Sequence, residues 1–195
     1  MPLPELQLDY GNMFVATVPR PVLRDARLRF SIRSVGQCRE LTPPRGEAET
    51  IDLLVETRRG EPSDWHESAW EHLLAHASEY EAALRPVLWA AAHSSFENAR
   101  TVSHTQLATL KADTDFSSEA NPDLQISLEE VVLYDAGRDE IGFLSFELAV
   151  GWDDEHGASV LVHAGTPFAM SGRADFTCRG NPAGHAAYCP LPTRS

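Results

Sequence analysis

Hydrophobic and polar positions change period twice along this chain. Residues 26–34, ARLRFSIRS, alternate strictly: Leu28, Phe30 and Ile32 point one way, Arg27, Arg29, Ser31 and Arg33 the other. A period of two marks a strand with one buried face. TIDLLVET (50–57) predicts another strand, and LQLDY and MFVATV predict two short ones turning at Gly11-Asn12. Pro43, Pro44 and Gly46 place a loop between the 26–34 and 50–57 strands.

After Gly60-Glu61-Pro62 the period lengthens. Trp70, Leu73, Leu74, Ala77, Tyr80, Leu84, Val87 and Leu88 recur at three and four, which predicts one amphipathic helix over about 64–92. Ser63 suits its N-cap, and Asp64 and Glu67 sit where the helix dipole favours acids. Pro86 is expected to kink this helix or to start a second segment. His72, His76 and Glu79 fall off the apolar stripe. An i,i+4 histidine pair can hold a metal, but the glutamate of the zinc-protease motif does not follow the first histidine, so the three read as a solvated face. Residues 93–123 are rich in turn formers and predict a loop-rich connection.

Period two then returns. LQISLEEVVLYD (124–135), EIGFLSFELAVGW (140–152), ASVLVHA (158–164) and TPFAMSG (166–172) predict strands, with turns at 136–139 and Gly165. In the 140–152 segment Leu144, Phe146, Leu148 and Val150 form the apolar face that should meet the helix. Ile141, Phe143, Ser145, Glu147 and Ala149 form the other. The expected fold is α+β: an antiparallel sheet of hairpins, a meander, covered by one long helix. A single domain would span 1–176, with 177–195 as an irregular tail rich in Gly and Pro.

Composition narrows the partners. The chain has 195 residues, is 43% hydrophobic, and carries a formal charge of −13. That charge is concentrated: residues 60–175 hold five basic and twenty-one acidic side chains. Such a surface repels phosphate backbones, which argues against nucleic acid, and steers a basic protein partner. No apolar stretch is long enough to span a membrane, and no signal-like segment opens the chain. The three cysteines, Cys38, Cys178 and Cys189, are too few for a disulfide scaffold and suit a reducing cytoplasm, though a Cys178–Cys189 bridge stays open. No cofactor motif is present.

The densest chemistry is GWDDEHG, 151–157. Asp154, Glu155 and His156 are the catalytic candidates if the protein is an enzyme, since a carboxylate can orient an imidazole as a general base. With His163, the Asp154 and His156 side chains are the metal candidates, and Asp175, Cys178, His185 and Cys189 are further ligands to weigh. Neither set is complete: no nucleophile lies beside an obvious base and no close Cys pair is present. The structural alternative is a shaped connection between strands, with Trp152 packed on the core, an Asp capping backbone amides, and Gly157 at an angle other residues avoid. On that reading no residue is catalytic and no metal is bound, and the acids Asp64, Glu67, Glu71, Glu79, Asp153, Asp154 and Glu155 are candidates for binding a partner.

GWDDEHGASVLVHAG, followed by Ser171-Gly172 and Ala174-Asp175, resembles the C-terminal signature of a family of uncharacterised bacterial domains with a WD(D/E)EHG strand. Trp152, Asp153, Glu155, His156, Gly157, Gly172, Ala174 and Asp175 match, Ser159 and Arg173 depart, and the likeness covers about residues 5–176. The family carries no established activity. By analogy of size and style it implies an immunity-type protein that neutralises a basic toxin. The readings carried forward are therefore a non-enzymatic binding domain, a hydrolase built on Asp153–His156, and a regulatory domain binding an anion on the Arg27/Arg29/Arg33 face.

Overall fold

The structure, a computed structural model, describes residues 1–26, 31–32, 49–102, 126–150, 152–172, 184 and 191; for 31–32, 93, 96–102 and 154–156 it describes the backbone only. The chain runs β1 (Gln7–Tyr10), β2 (Met13–Pro19), α1 (Arg20–Asp25), β3 (Ser31–Ile32), β4 (Thr50–Glu56), α2 (Asp64–Val102), β5 (Ile126–Arg138), β6 (Ile141–Val150), β7 (Asp153–His163) and β8 (Thr166–Ser171). The strands form one sheet in the order β1-β2-β4-β5-β6-β7-β8, with β3 also paired to β5.

This is a mixed sheet with one long helix. It is mostly antiparallel, as the hairpin pattern predicts, but not a pure meander. β4 and β5 are parallel, and so are β3 and β5. Parallel neighbours need a crossover, and α2 lies in the one joining β4 to β5. The helix that was expected simply to cover the sheet thus also sets its topology.

α2 differs from its expected form in two ways. It extends to Val102, so the start of the expected 93–123 loop is helical, while 103–123 lies outside the described residues. Its backbone leaves helical geometry at His76 (φ −124°, ψ 21°), ten residues before Pro86. Pro86 and Ala82, whose carbonyl loses a helical partner to the proline, are both exposed, so water can satisfy the freed group.

Ala69, Trp70, Leu73, Ala77, Tyr80, Leu84 and Leu88 of α2 are buried against Val18, Leu53, Val55, Leu133, Leu144, Phe146, Leu148 and Val160 of the sheet. The expected face of β6 therefore does meet the helix. Its other face is buried as well. Val132, Tyr134, Phe143, Leu161 and Ala169 form a second buried cluster there, and Ser145, Glu147 and Ser159 are at most 1% exposed. Burial of these polar groups is tolerated because they satisfy one another. Tyr134 donates to Ser145 at 2.8 Å, and Ser145 and Ser159 both donate to Glu147 Oε1, at 2.7 and 2.5 Å.

The β1–β2 turn falls at Gly11-Asn12 as expected. The β5–β6 turn does not fall at 136–139. Arg138 pairs with Ile141, so the turn is Asp139-Glu140, both with positive φ (49° and 62°). Gly137, which suggested the turn, is instead directly opposite Gly142 in the ladder. A Cβ on either glycine would overlap Trp65, at its ring for Gly137 and at its backbone carbonyl for Gly142. This glycine pair is the flat spot on which the first turn of α2 rests. Ser68 Oγ seals the contact, accepting from the Gly142 N–H at 3.1 Å and donating to the Trp65 carbonyl at 3.1 Å.

Candidate functional site

GWDDEHG is not a loop. Its second half is the start of β7, and the β6–β7 connection is shorter than expected. Val150 pairs with Asp153 and Leu148 with Ala158, so the four residues Asp154–Gly157 face the single Ala149. That is an irregular bulge of four residues against one, and bulges bend a strand and increase its twist. Gly157 supplies a φ of +64°, a region that penalises side chains bearing a Cβ. Trp152 packs on the main core. The side chains of Asp154, Glu155 and His156 lie outside what is described, as do Asp175, Cys178, His185 and Cys189.

Of the candidate metal ligands, only His163 has a described side chain, and its imidazole is committed within the fold. Nδ1 accepts from Arg138 Nε at 3.1 Å, and Nε2 donates to the carbonyls of Arg138 and Ile141 at 3.0 and 3.1 Å. Arg138 in turn lies 5.3 Å over the Phe168 ring. Among the described residues, no group of three or more His, Cys, Asp or Glu converges on a point where a metal ion could sit.

The candidate binding acids separate into two groups. Asp64, Glu67, Glu71 and Glu79 are all exposed on α2. The Met1 ammonium approaches Glu71 at 3.7 Å and His76 Nδ1 approaches Glu79 at 3.1 Å. Asp153 pairs with Val150, which pairs with Ile126 at the start of β5, whereas α2 begins beside the end of β5. The nine steps from Ile126 to Asp135 put about 30 Å between these two points.

A constellation that the sequence reading missed sits at the α2 start. Ser63 Oγ donates to Asp135 Oδ1 at 2.6 Å and lies 3.1 Å from His66 Nδ1. The residue types are those of a hydrolytic triad, but the wiring is not. His66 Nδ1 accepts the Ser63 backbone N–H at 2.9 Å, which leaves Nε2 protonated and donating to the Glu56 carbonyl at 2.9 Å. The serine proton goes to the aspartate, and the imidazole lone pair is already filled. This is one arm of a capping box, with histidine in the position usually held by Glu or Gln, while the His66 backbone N–H goes to the Ser63 carbonyl. It ties the end of β4, the start of α2 and the end of β5 together. The spacing Ser63-x-x-His66 was the available signal, hidden because the box is usually sought as S/T-x-x-E/Q.

Electrostatics at this junction follow from burial. His66 is fully buried. Desolvation lowers its pKa, against the opposing effects of the Glu56 carbonyl, the Asp135 charge and Ser63. Burial pushes Asp135 up, but the Ser63 hydroxyl and the Arg58 N–H, with the charges of His66 and Arg58, hold it below the ordinary range. Burial raises Glu56 to about 7 despite Arg58, and its buried Oε2 has no hydrogen-bond partner among the described residues. A raised carboxyl favours the protonated folded state, so its penalty grows as pH climbs from 4.5 through about 7. Glu56→Gln should therefore raise the melting temperature at pH 8 and leave it nearly unchanged at pH 4.5. An equal gain at both values would show that the carboxyl is not held protonated.

Beside the junction is a cavity of about 460 Å³ lined by Arg58, Arg59, Glu61, Pro62, Ser63, Trp65 and Asp135. Its lining mixes both signs of charge. Arg27, Arg29 and Arg33, the expected anion face, lie outside the described residues.

Comparison with protein-family models, with curated proteins and with solved structures found no match. Among the described residues, no helix is long and apolar enough to cross a membrane.

Proposed function

We propose that this chain is a protein-binding domain that presents the outer face of α2 to a basic partner, and that it acts as an immunity-type inhibitor of a basic toxin. One observation carries the reading: Asp64, Glu67, Glu71 and Glu79 are all solvent-exposed on α2. Asp64, Glu67 and Glu71 fall within one side of the helix, as spacings of three and four dictate. Glu71 approaches the chain's own N-terminus and Glu79 the His76 imidazole, and both are exposed pairs. Pairs of that kind contribute about 0–1 kcal/mol and yield readily to a better partner. An exposed row of one sign accelerates encounter with its opposite and makes the rate depend on salt. The serine, histidine and aspartate at the α2 start support the same reading, since their bonds hold the helix in place and leave no activated nucleophile.

The test is capture of partners on the wild-type chain and on a Glu67→Lys/Glu71→Lys/Glu79→Lys variant. A basic protein should be retained by the first. With the variant, its association rate should fall by about tenfold or more and lose its salt dependence. Retention of the same protein at equal rates would end the electrostatic reading.

A further inference from the structure

We propose that the cavity at the start of α2 is a binding site for a small zwitterion of the α-amino acid class, one with an apolar or aromatic side chain. Its volume of about 460 Å³ falls within the roughly 300–1,000 Å³ of sites that hold small molecules. Its walls come from the segment between β4 and α2, from the first turn of α2, and from β5. Two guanidinium groups, Arg58 and Arg59, and two carboxyl groups, Glu61 and Asp135, border the same space. Arg59 and Glu61 stand on either side of Gly60, whose φ of +78° turns the chain between them. They pair neither with each other nor with another described residue.

That lining selects by charge. A bare anion drawn to Arg58 and Arg59 would also meet Glu61 and Asp135, and a bare cation would meet the reverse. A molecule with both charges a few bonds apart satisfies both walls. Arg59 suits its carboxylate, since a guanidinium can hold two carboxylate oxygens at once. Glu61 and Asp135 suit its ammonium, which has three protons to donate. Asp135 is fixed in place for this role. Its Oδ1 accepts from Ser63 Oγ at 2.6 Å and its Oδ2 from the Arg58 backbone N–H at 3.2 Å, and each oxygen keeps a second lone pair. Trp65 supplies an apolar wall. Its ring rests on Gly137, where a Cβ would overlap it, so the indole is positioned in advance and loses little freedom on contact. A side chain packed on that ring adds apolar burial. The site does not depend on the partner proposed for the acidic face of α2.

The experiment is titration of the full chain with L-phenylalanine, hydrocinnamate and phenethylamine. The three share a phenyl body and carry both charges, the negative one alone and the positive one alone. Calorimetry gives the affinities, and the indole N–H resonances locate the site. L-Phenylalanine should bind saturably, shift the Trp65 indole N–H and leave that of the buried Trp70 in place. Each single-charge analogue should bind at least about tenfold more weakly, the scale of a lost charged hydrogen bond. Arg59→Gln should bring L-phenylalanine down to the wild-type level of phenethylamine. Glu61→Gln should weaken L-phenylalanine and phenethylamine while sparing hydrocinnamate. Both residues are exposed and stand outside the bonds of Ser63, His66 and Asp135, so both variants should keep the wild-type melting temperature. No saturable binding, a single-charge analogue as tight as L-phenylalanine, or full affinity in Arg59→Gln would overturn the site.

Discussion

Replacing Gly142 by alanine is expected to destabilise the fold by at least about 3 kcal/mol, the upper range for overpacking. The reason is where the new methyl would go. It would overlap the backbone carbonyl of Trp65, with Ala69 Cβ also 3.1 Å away. A flexible side chain could rotate aside; a carbonyl in the first turn of a helix cannot. Relief requires lifting the start of α2 from the β5–β6 hairpin, which would also break the Gly142 N–H to Ser68 bond and strain the bonds of Ser63 and His66. Truncating Trp65 to alanine in the same chain should not rescue it, because the obstacle is main chain. Urea denaturation checks this. A loss below about 1 kcal/mol, the scale of an ordinary surface change, would show that the helix does not seat on this glycine pair.

Much of this architecture was legible because periodicity reports burial. The spacing of Trp70, Leu73, Ala77, Tyr80, Leu84 and Leu88 marked the buried stripe of α2, and the alternation of Leu144, Phe146, Leu148 and Val150 marked the sheet face beneath it. What failed were inferences from single residues whose role depends on distant partners. Gly137 suggested a turn but serves as a seat for Trp65. Pro86 suggested a kink, yet the break is at His76, where Tyr80 and Glu79 hold the two histidine rings. The parallel pairing of β4 with β5 was hidden because an amphipathic helix looks the same whether it covers a meander or crosses between parallel strands. The burial of Ser145, Glu147 and Ser159 was not legible, since it depends on a hydroxyl–carboxylate bond from Ser159 to Glu147 that joins two different strands.

The candidate site divides along the same line. Exposed acids on α2 could be placed from helical spacing alone. The acidic stretch after Trp152 could be judged a shaped element from its glycine and tryptophan, and the bulge opposite Ala149 accords with that. Ser63, His66 and Asp135 could not be joined beforehand, because Asp135 is 72 positions from Ser63 and only the parallel crossover brings them together.

His66→Ala is expected to cost about 3 kcal/mol, because it takes the partner from two part-buried backbone groups, the Ser63 N–H and the Glu56 carbonyl, at about 1–3 kcal/mol each. His66→Gln separates this hydrogen-bonding role from the histidine's titration. Glutamine is the ordinary occupant of the capping-box position and can accept the Ser63 N–H, so most of the stability should return. The pH dependence should not. A histidine whose folded pKa is lowered is neutral in both states above 6.5 and adds no pH dependence there. As pH falls through 6.5 the unfolded chain takes up the proton first, and stability is lost progressively until the lower folded value is passed. The wild-type chain should therefore lose stability on acidification below 6.5, and His66→Gln should lose less over the same interval, the difference between the two curves isolating this imidazole from His72. Parallel curves would mean that His66 keeps an ordinary pKa, and the buried, neutral clamp at the start of α2 would have to be abandoned.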